Sequence, residues 1–186
     1  TVSPNITELT IDAKEILSGD YISNTPLITA KVSDTNSGVA TWNISVINTE
    51  TDTVVMTEEG NANSVINTPV DISFQVNSVL DDGRYTVKVE VLDTDANKQT
   101  LVSNEFNVVS EFKITELGNF PNPFNPNNET TKIEYQLTKE ADVDIYIFSI
   151  SGEKLWQKKM STGETGATAG YNKIEGDGIN SFGEVV

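Results

Sequence analysis

The strictest pattern in the chain is an alternation of apolar and polar side chains between residues 85 and 91. The apolar positions are Tyr85, Val87, Val89 and Val91, with a polar residue between each pair. Successive side chains of a β-strand point to opposite faces, so this pattern predicts a strand with one buried face. Similar alternation, interrupted by turn-forming Gly, Asn and Asp, recurs on both sides of this segment without any helical period. It predicts seven strands, of which the last covers residues 101–108.

Seven short strands at this spacing predict an antiparallel, immunoglobulin-like β-sandwich over residues 1–110. Trp42 falls on the predicted third strand, where such sandwiches often bury an aromatic side chain. Residues 82–89, DGRYTVKV, resemble a strand of many bacterial surface immunoglobulin-like domains. The opening residues 3–6 and the loop at 34–39 resemble the same domains.

Composition removes several classes of function. The chain has 28 acidic and 12 basic residues, and a net charge of −16 argues against binding nucleic acid. The absence of cysteine and histidine removes thiol nucleophiles, disulfides and the commonest general base. No apolar run approaches the roughly 20 residues of a membrane-spanning helix. We expect no catalytic activity, and we expect the chain to belong to a longer protein, because its start lacks the features of a signal peptide.

A proline-rich segment, which we call the strap, follows the first predicted sandwich. It consists of Asn119, Phe120, Pro121, Asn122, Pro123, Phe124, Asn125 and Pro126. Each proline fixes its own φ and pushes the preceding residue toward extended geometry, so the strap should be stiff and extended. We expect Phe120 and Phe124 to be buried against a β-sheet. Tyr146 and Phe148 either face these phenylalanines or face a partner.

Strand patterns resume after the strap and predict a second sandwich over residues 111–186, with residues 109–118 as a short, partly packed joint. The alternating segments are 130–137 and 143–150, followed by returning strands at 155–160 and from 171.

The strap and the strands after it resemble the C-terminal immunoglobulin-like domain shared by flagellar hook-capping proteins and type IX secretion sorting domains. The matching positions after the strap are Ile133, Tyr135, Leu137, Val143, Ile145, Ile147, Gly152, Asp177, Gly178, Asn180, Gly183 and Val186. Gly176 stands where that family has tryptophan, and the family's final strand has no counterpart before Val186. The fold class expected is therefore all-β, with two tandem sandwiches of which the second lacks its last strand. An unpaired edge would make the second sandwich the less stable one.

This resemblance implies a non-catalytic C-terminal region of a larger secreted or cell-surface bacterial protein. Its partners would be an upstream passenger domain, such as a secreted peptidase, and the outer-membrane secretion machinery. Two alternatives stay open, a carbohydrate- or protein-binding module and a structural spacer. A hook-cap fragment is disfavoured by the large domain upstream.

Oxygen-bearing side chains at alternate positions suggest a calcium loop at Asp93, Asp95 and Asn97. The glycine and the final acid of such a loop are missing, and a hairpin turn whose Asp and Asn side chains cap local backbone explains the same pattern. We expect no cofactor, with calcium as the one candidate. Two further clusters fit either interpretation: Asp34, Asn36 and Ser37, and Asp177 with Asn180.

Overall fold

The computed structural model describes residues 2–180 and residue 183, and every regular element in that part of the chain is a β-strand. The same residues include no helix that is long and apolar enough to cross a membrane. The chain divides into two compact units, residues 1–109 and residues 110–186. The all-β prediction is confirmed.

The first unit contains nine strands in the described residues. They are β1 (Asn5–Ile11), β2 (Tyr21–Ile22), β3 (Leu27–Ser33), β4 (Val39–Asn48), β5 (Thr53–Asn61), β6 (Val70–Gln75), β7 (Gly83–Asp93), β8 (Lys98–Val102) and β9 (Phe106–Val108). One sheet has the order β1-β3-β6, and the other has the order β2-β9-β7-β4-β5 with β8 also paired to β7. All pairs are antiparallel except β2 with β9.

The core of the first unit is formed by the alternating apolar side chains of both sheets. Val87, Val89 and Val91 of β7 are fully buried in one cluster with Ile28 and Val32 of β3. The cluster contains twenty buried apolar side chains among the described residues. Trp42 is half-buried against this cluster, at its edge.

The strands of the first unit differ from the sequence prediction where polar residues occupy strand positions. β5 continues through Glu58 and Glu59 to Asn61, because it pairs with β4 on one side and its side chains stay largely solvated. The predicted last strand is divided into β8 and β9 around Ser103, whose hydroxyl accepts the N–H of Val87 at 2.9 Å. β2 is two residues long and leaves no periodic signal.

The second unit contains five strands in the described residues. They are β10 (Ile114–Phe120), β11 (Thr131–Leu137), β12 (Val143–Phe148), β13 (Lys154–Met160) and β14 (Gly170–Gly176). β10, β11 and β14 form an antiparallel sheet with β11 in the centre, and β12 pairs with β13 in a hairpin. Tyr135 and Leu137 of β11 and Ile174 of β14 are buried, and apolar residues of the hairpin pack against them.

β10 occupies the second half of the segment predicted as a joint and includes the first two residues of the strap. Its pairing with β11 shifts between Thr115 and Gly118, and Glu116 there has a φ of 55°. This bulge breaks the alternation that would have revealed a strand in the sequence.

Candidate functional site

The strap is tied to the central strand of the second unit through one hydroxyl group. Thr131, buried at the start of β11, donates its hydroxyl to the carbonyl oxygen of Pro121 at 2.8 Å. The hydroxyl oxygen of Thr131 also accepts the side-chain amide of Asn119 at 3.2 Å. Asn122 in turn donates to the side-chain oxygen of Asn119 at 3.2 Å. Of the three X-Pro bonds in the strap, those before Pro121 and Pro123 are cis.

The C-terminal end of the strap packs closely against Gly178, in the segment that follows β14. A Cβ placed on Gly178 would lie 2.6 Å from Cβ of Pro126 and 3.0 Å from the ring of Phe124. Gly178 also has a φ of +69°, which favours glycine independently of this close approach. Two positions of the resemblance, the strap and Gly178, are therefore in direct contact.

A turn after the strap closes on Glu129. Its carboxylate accepts the backbone N–H of Asn125 at 2.7 Å, and its own N–H donates to the carbonyl of Asn125 at 2.8 Å. The side chain of Asn125 accepts the N–H of Asn127 at 3.1 Å. These bonds fix the backbone where the strap ends, and no sequence pattern predicted the part that Glu129 plays.

The two phenylalanines of the strap have different environments. Phe124 is half-buried, whereas Phe120 is 73% exposed. The prediction that both would be buried is wrong for Phe120, because β10 continues to this residue and directs its side chain away from the core.

An apolar groove of about 450 Å³ lies beside the strap. Phe124 and Leu117 contribute to it from the strap and β10, Ile133 from β11, and Ile145 and Ile147 from β12. The β12 residues are only half-buried, because the two-stranded hairpin covers the three-stranded sheet incompletely. Leu117 in this groove is 70% exposed, and Phe120 at the end of β10 is also exposed. The second unit therefore has an accessible apolar surface.

Tyr146 and Phe148 form a second exposed apolar feature. Their rings stack at 6.1 Å with an interplanar angle of 27°, and both side chains are exposed, alternating with the core-facing residues of β12. Nζ of Lys154 lies 5.8 Å from the centre of the Tyr146 ring. Tyr146 also lines the groove to which Phe124 contributes, so this ring lies on the strap side, whereas Phe148 is not among the residues that line the groove.

The three side chains of the predicted calcium loop differ in their exposure to solvent. Asp93 is buried, Asn97 is half-buried and donates to it, and Asp95 is exposed. Asp34, from the second oxygen cluster, is also buried. The loops that carry Asp34 and Asp93 are hydrogen-bonded to each other, a proximity that the sequence did not reveal.

The third oxygen cluster is split between a turn and the end of the described chain. Asp177 accepts the backbone N–H of Ile179 at 3.0 Å, which is the geometry of an Asx turn. The carbonyl of Asn180 accepts the N–H of Gly183 at 3.0 Å, and Gly183 has a φ of +82°. Val186, the last position of the resemblance, lies outside the described residues.

Comparison with known proteins gives a structural likeness and no family. No protein-family profile matches the chain, and no curated protein matches it. Among solved structures, it is similar to dimeric latent PorU from Porphyromonas gingivalis, with 19% sequence identity and a TM-score of 0.46. That alignment covers 100% of this chain and 18% of the PorU chain, so the sequence spans less than a fifth of the protein it matches.

Proposed function

We propose that this chain is a non-catalytic region of a larger secreted or cell-surface bacterial protein, and that its second unit acts in type IX secretion sorting. The observation that carries the proposal is the strap. Its residues match the sorting-domain pattern, and Thr131 and Gly178 hold it in one conformation at the surface. The upstream passenger would be carried to the outer-membrane machinery, which would bind the strap and its neighbouring groove.

The physical support is a fixed apolar surface beside a segment of defined shape. Apolar patches that stay exposed on a folded domain often mark protein-binding surfaces. Phe120 presents an aromatic ring to solvent, and aromatic anchors contribute much of the affinity of protein interfaces. Because the strap is already held in place, binding would cost little conformational entropy.

The proposal can be tested by fusing the whole chain to the C-terminus of a secreted reporter in a bacterium with type IX secretion. We expect the reporter at the cell surface or in the medium, and in the periplasm of a strain whose type IX translocon is disrupted. Retention of the reporter in the periplasm of the competent strain would rule out the sorting proposal.

A matched pair of variants tests the strap itself. Phe120→Ala should reduce export strongly without changing the fold, because this side chain is exposed. Phe112→Ala removes another exposed phenylalanine of the same unit, outside the strap, and should leave export intact. Equal export by both variants would show that the strap's aromatic ring is not recognised.

The stacked pair of Tyr146 and Phe148 favours carbohydrate binding as a second candidate function. An exposed, flat aromatic surface can stack on the apolar face of a sugar ring. Glycan-array binding that is lost in Tyr146→Ala or in Trp156→Ala, and kept in Phe120→Ala, would favour this function over sorting. A chain that neither exports a reporter nor binds a glycan or protein would be a structural spacer.

A further inference from the structure

Two connecting loops meet at one end of the first unit. Residues 34–38 join β3 to β4, and residues 94–97 join β7 to β8. The backbone N–H of Thr94 donates to the carbonyl of Gly38 at 3.1 Å, and the Thr94 hydroxyl donates to the carbonyl of Ser37 at 2.9 Å. Each loop has a buried carboxylate at its base.

The first of these carboxylates is half satisfied. Asp34 is only 2% exposed, and its Oδ1 accepts three backbone N–H groups, from Asn36 at 2.9 Å, Ser37 at 2.6 Å and Gly38 at 2.9 Å. Its Oδ2 is buried and has no hydrogen-bond partner in the part of the chain that the structure describes. A buried carboxylate oxygen without a partner is costly, and it marks a place where a ligand would be stabilised.

The second carboxylate belongs to the facing loop. Asp93 is 3% exposed, and its Oδ1 accepts the N–H groups of Asp95 at 2.9 Å and Asn97 at 2.8 Å. Its Oδ2 accepts the side-chain amide of Asn97 at 2.7 Å. Ser37 takes part in the contacts of both loops, because its carbonyl accepts the hydroxyl of Thr94 and its Oγ lies 3.4 Å from Oδ1 of Asp34.

Both carboxylates are negatively charged at neutral pH. The N–H of Ser37, with those of Asn36 and Gly38, lowers the pKa of Asp34 below its usual value. For Asp93, burial opposes ionisation, but the hydrogen bonds from Asn97 and Asp95 still bring its pKa below the usual value. None of the ion pairs between described residues includes Asp34 or Asp93. These two buried negative charges are thus left without a positive partner among the described ion pairs.

We propose that this end of the first unit binds a calcium ion, held by the carboxylates of Asp34 and Asp93 between the two loops. Oδ2 of Asp34 would be the ligand that hydrogen bonding has left available. Calcium prefers six to eight oxygen ligands and accepts carboxylates, backbone carbonyls, amide oxygens and water in flexible arrangements.

Neutral oxygens and water would complete the coordination. The described residues hold no group of three or more acidic, histidine or cysteine side chains able to bind a metal, so the protein contributes two charges. The carbonyl oxygen of Ser64 lies against Gly38 of the first loop, since a Cβ on Gly38 would overlap it. A site with few charged ligands fits the weak, millimolar class of calcium sites found in extracellular domains.

The experiment compares the whole chain with Asp34→Asn, in EDTA and in millimolar CaCl₂. Asparagine can still accept the three backbone N–H groups but carries no charge. In EDTA the variant should melt at a lower temperature than the wild type, because a neutral amide oxygen accepts the three N–H groups less strongly than a carboxylate does. Calcium should raise the melting temperature of the wild type more than that of the variant, and the affinity of the variant should fall by about tenfold or more, since charge count sets affinity in such sites.

Two controls separate a bound ion from screening of the chain's negative charge. Asp95→Asn removes the same charge from an exposed position of the same loop, and it should keep the calcium effect. MgCl₂ at the same concentration should give a smaller shift, because magnesium demands a stricter octahedral site. In NMR titrations of the wild type, the backbone amides of Gly38 and Asn97 should shift with calcium and saturate at one ion per chain.

The proposal fails if Asp34→Asn and the wild type respond equally to calcium, or if calcium and magnesium act equally. Unchanged Gly38 and Asn97 amides in saturating calcium would also overturn it, and this measurement does not depend on whether the variant folds.

Discussion

The two units of the chain cover their sheets to different extents. The core of the first unit contains twenty buried apolar side chains and that of the second contains six, counted over the described residues. In the first unit two sheets cover each other, whereas in the second a hairpin covers a three-stranded sheet. Since buried apolar area supplies most of the folding free energy, we expect the second unit to be the less stable one.

The charges are distributed unequally as well. Residues 1–109 contain sixteen of the 28 acidic residues but only five of the 12 basic ones. The first unit thus carries most of the net charge, which suits a soluble domain that attracts cations and resists self-association. The second unit has the more balanced charge and also carries the exposed aromatic rings of the described residues.

The largest expected difference between the units comes from core truncation. Leu137 is fully buried, and Leu137→Ala should cost about 2–5 kcal/mol. With so few buried side chains, the second unit should unfold at a far lower urea concentration while the first keeps its transition. The measurement is urea unfolding, with amide NMR signals of each unit followed separately.

The control for this prediction is the same substitution at an exposed site. Leu117→Ala in β10 should change stability by no more than about 0.5 kcal/mol. If the two variants lose equal stability, the small core inferred for the second unit is wrong.

Much of the fold could be predicted from residues that alternate. The segment from Tyr85 to Val91 fixed β7, and similar patterns located β3, β11 and β12. β10 was missed because its bulge at Glu116 removes the period, and the acidic end of β5 was missed because an edge strand tolerates polar residues on both faces.

The sites were harder to predict, because they depend on contacts between distant segments. The strap was recognised from its prolines, but no pattern shows that Thr131 anchors it or that Phe120 remains exposed. Asp34 and Asp93 were each singled out as possible ligands. The pairing of β4 with β7 brings their loops together, and at the end of the strands next to these loops it joins Val39 to Asp93, far apart in the sequence.

A smaller effect is expected from releasing the strap. Thr131→Val keeps the shape of the side chain but removes the hydroxyl that bonds Pro121 and Asn119, which should cost about 1 kcal/mol. Hydrogen exchange at the amides of residues 122–128 should accelerate, while exchange in the first unit stays unchanged. Thr130→Val, at the exposed neighbouring position, is the control and should leave both unaffected. Unchanged exchange in Thr131→Val would mean that the strap is held by Gly178 and its neighbours alone.

The last expected difference between the units is how their stability depends on pH, in acid and in alkali. In the first unit, the pKa values of Asp34 and Asp93 are lowered from 3.8, so their stabilising contribution is present above that pH. It is lost as the pH falls through the folded-state values. In the second unit, the N–H and hydroxyl of Thr162 lower the pKa of Asp142, but this carboxylate is exposed and should matter less. Acid should therefore destabilise the first unit more.

Alkali should instead destabilise the second unit more, because Tyr135 is buried in its core. Burial raises the pKa of this phenol above 10.0, and its hydroxyl donates to the carbonyl of Gly166. The stability that follows from keeping it protonated is fully present below pH 10 and is lost as the pH rises through the folded-state pKa. In Tyr135→Phe, this alkaline loss should disappear from unfolding curves measured between pH 9 and about 11. Tyr146→Phe removes an exposed tyrosine of the same unit and should retain it. If Tyr135→Phe keeps the alkaline loss, the loss has another source, and the contrast between the units in alkali is not set by this buried ring.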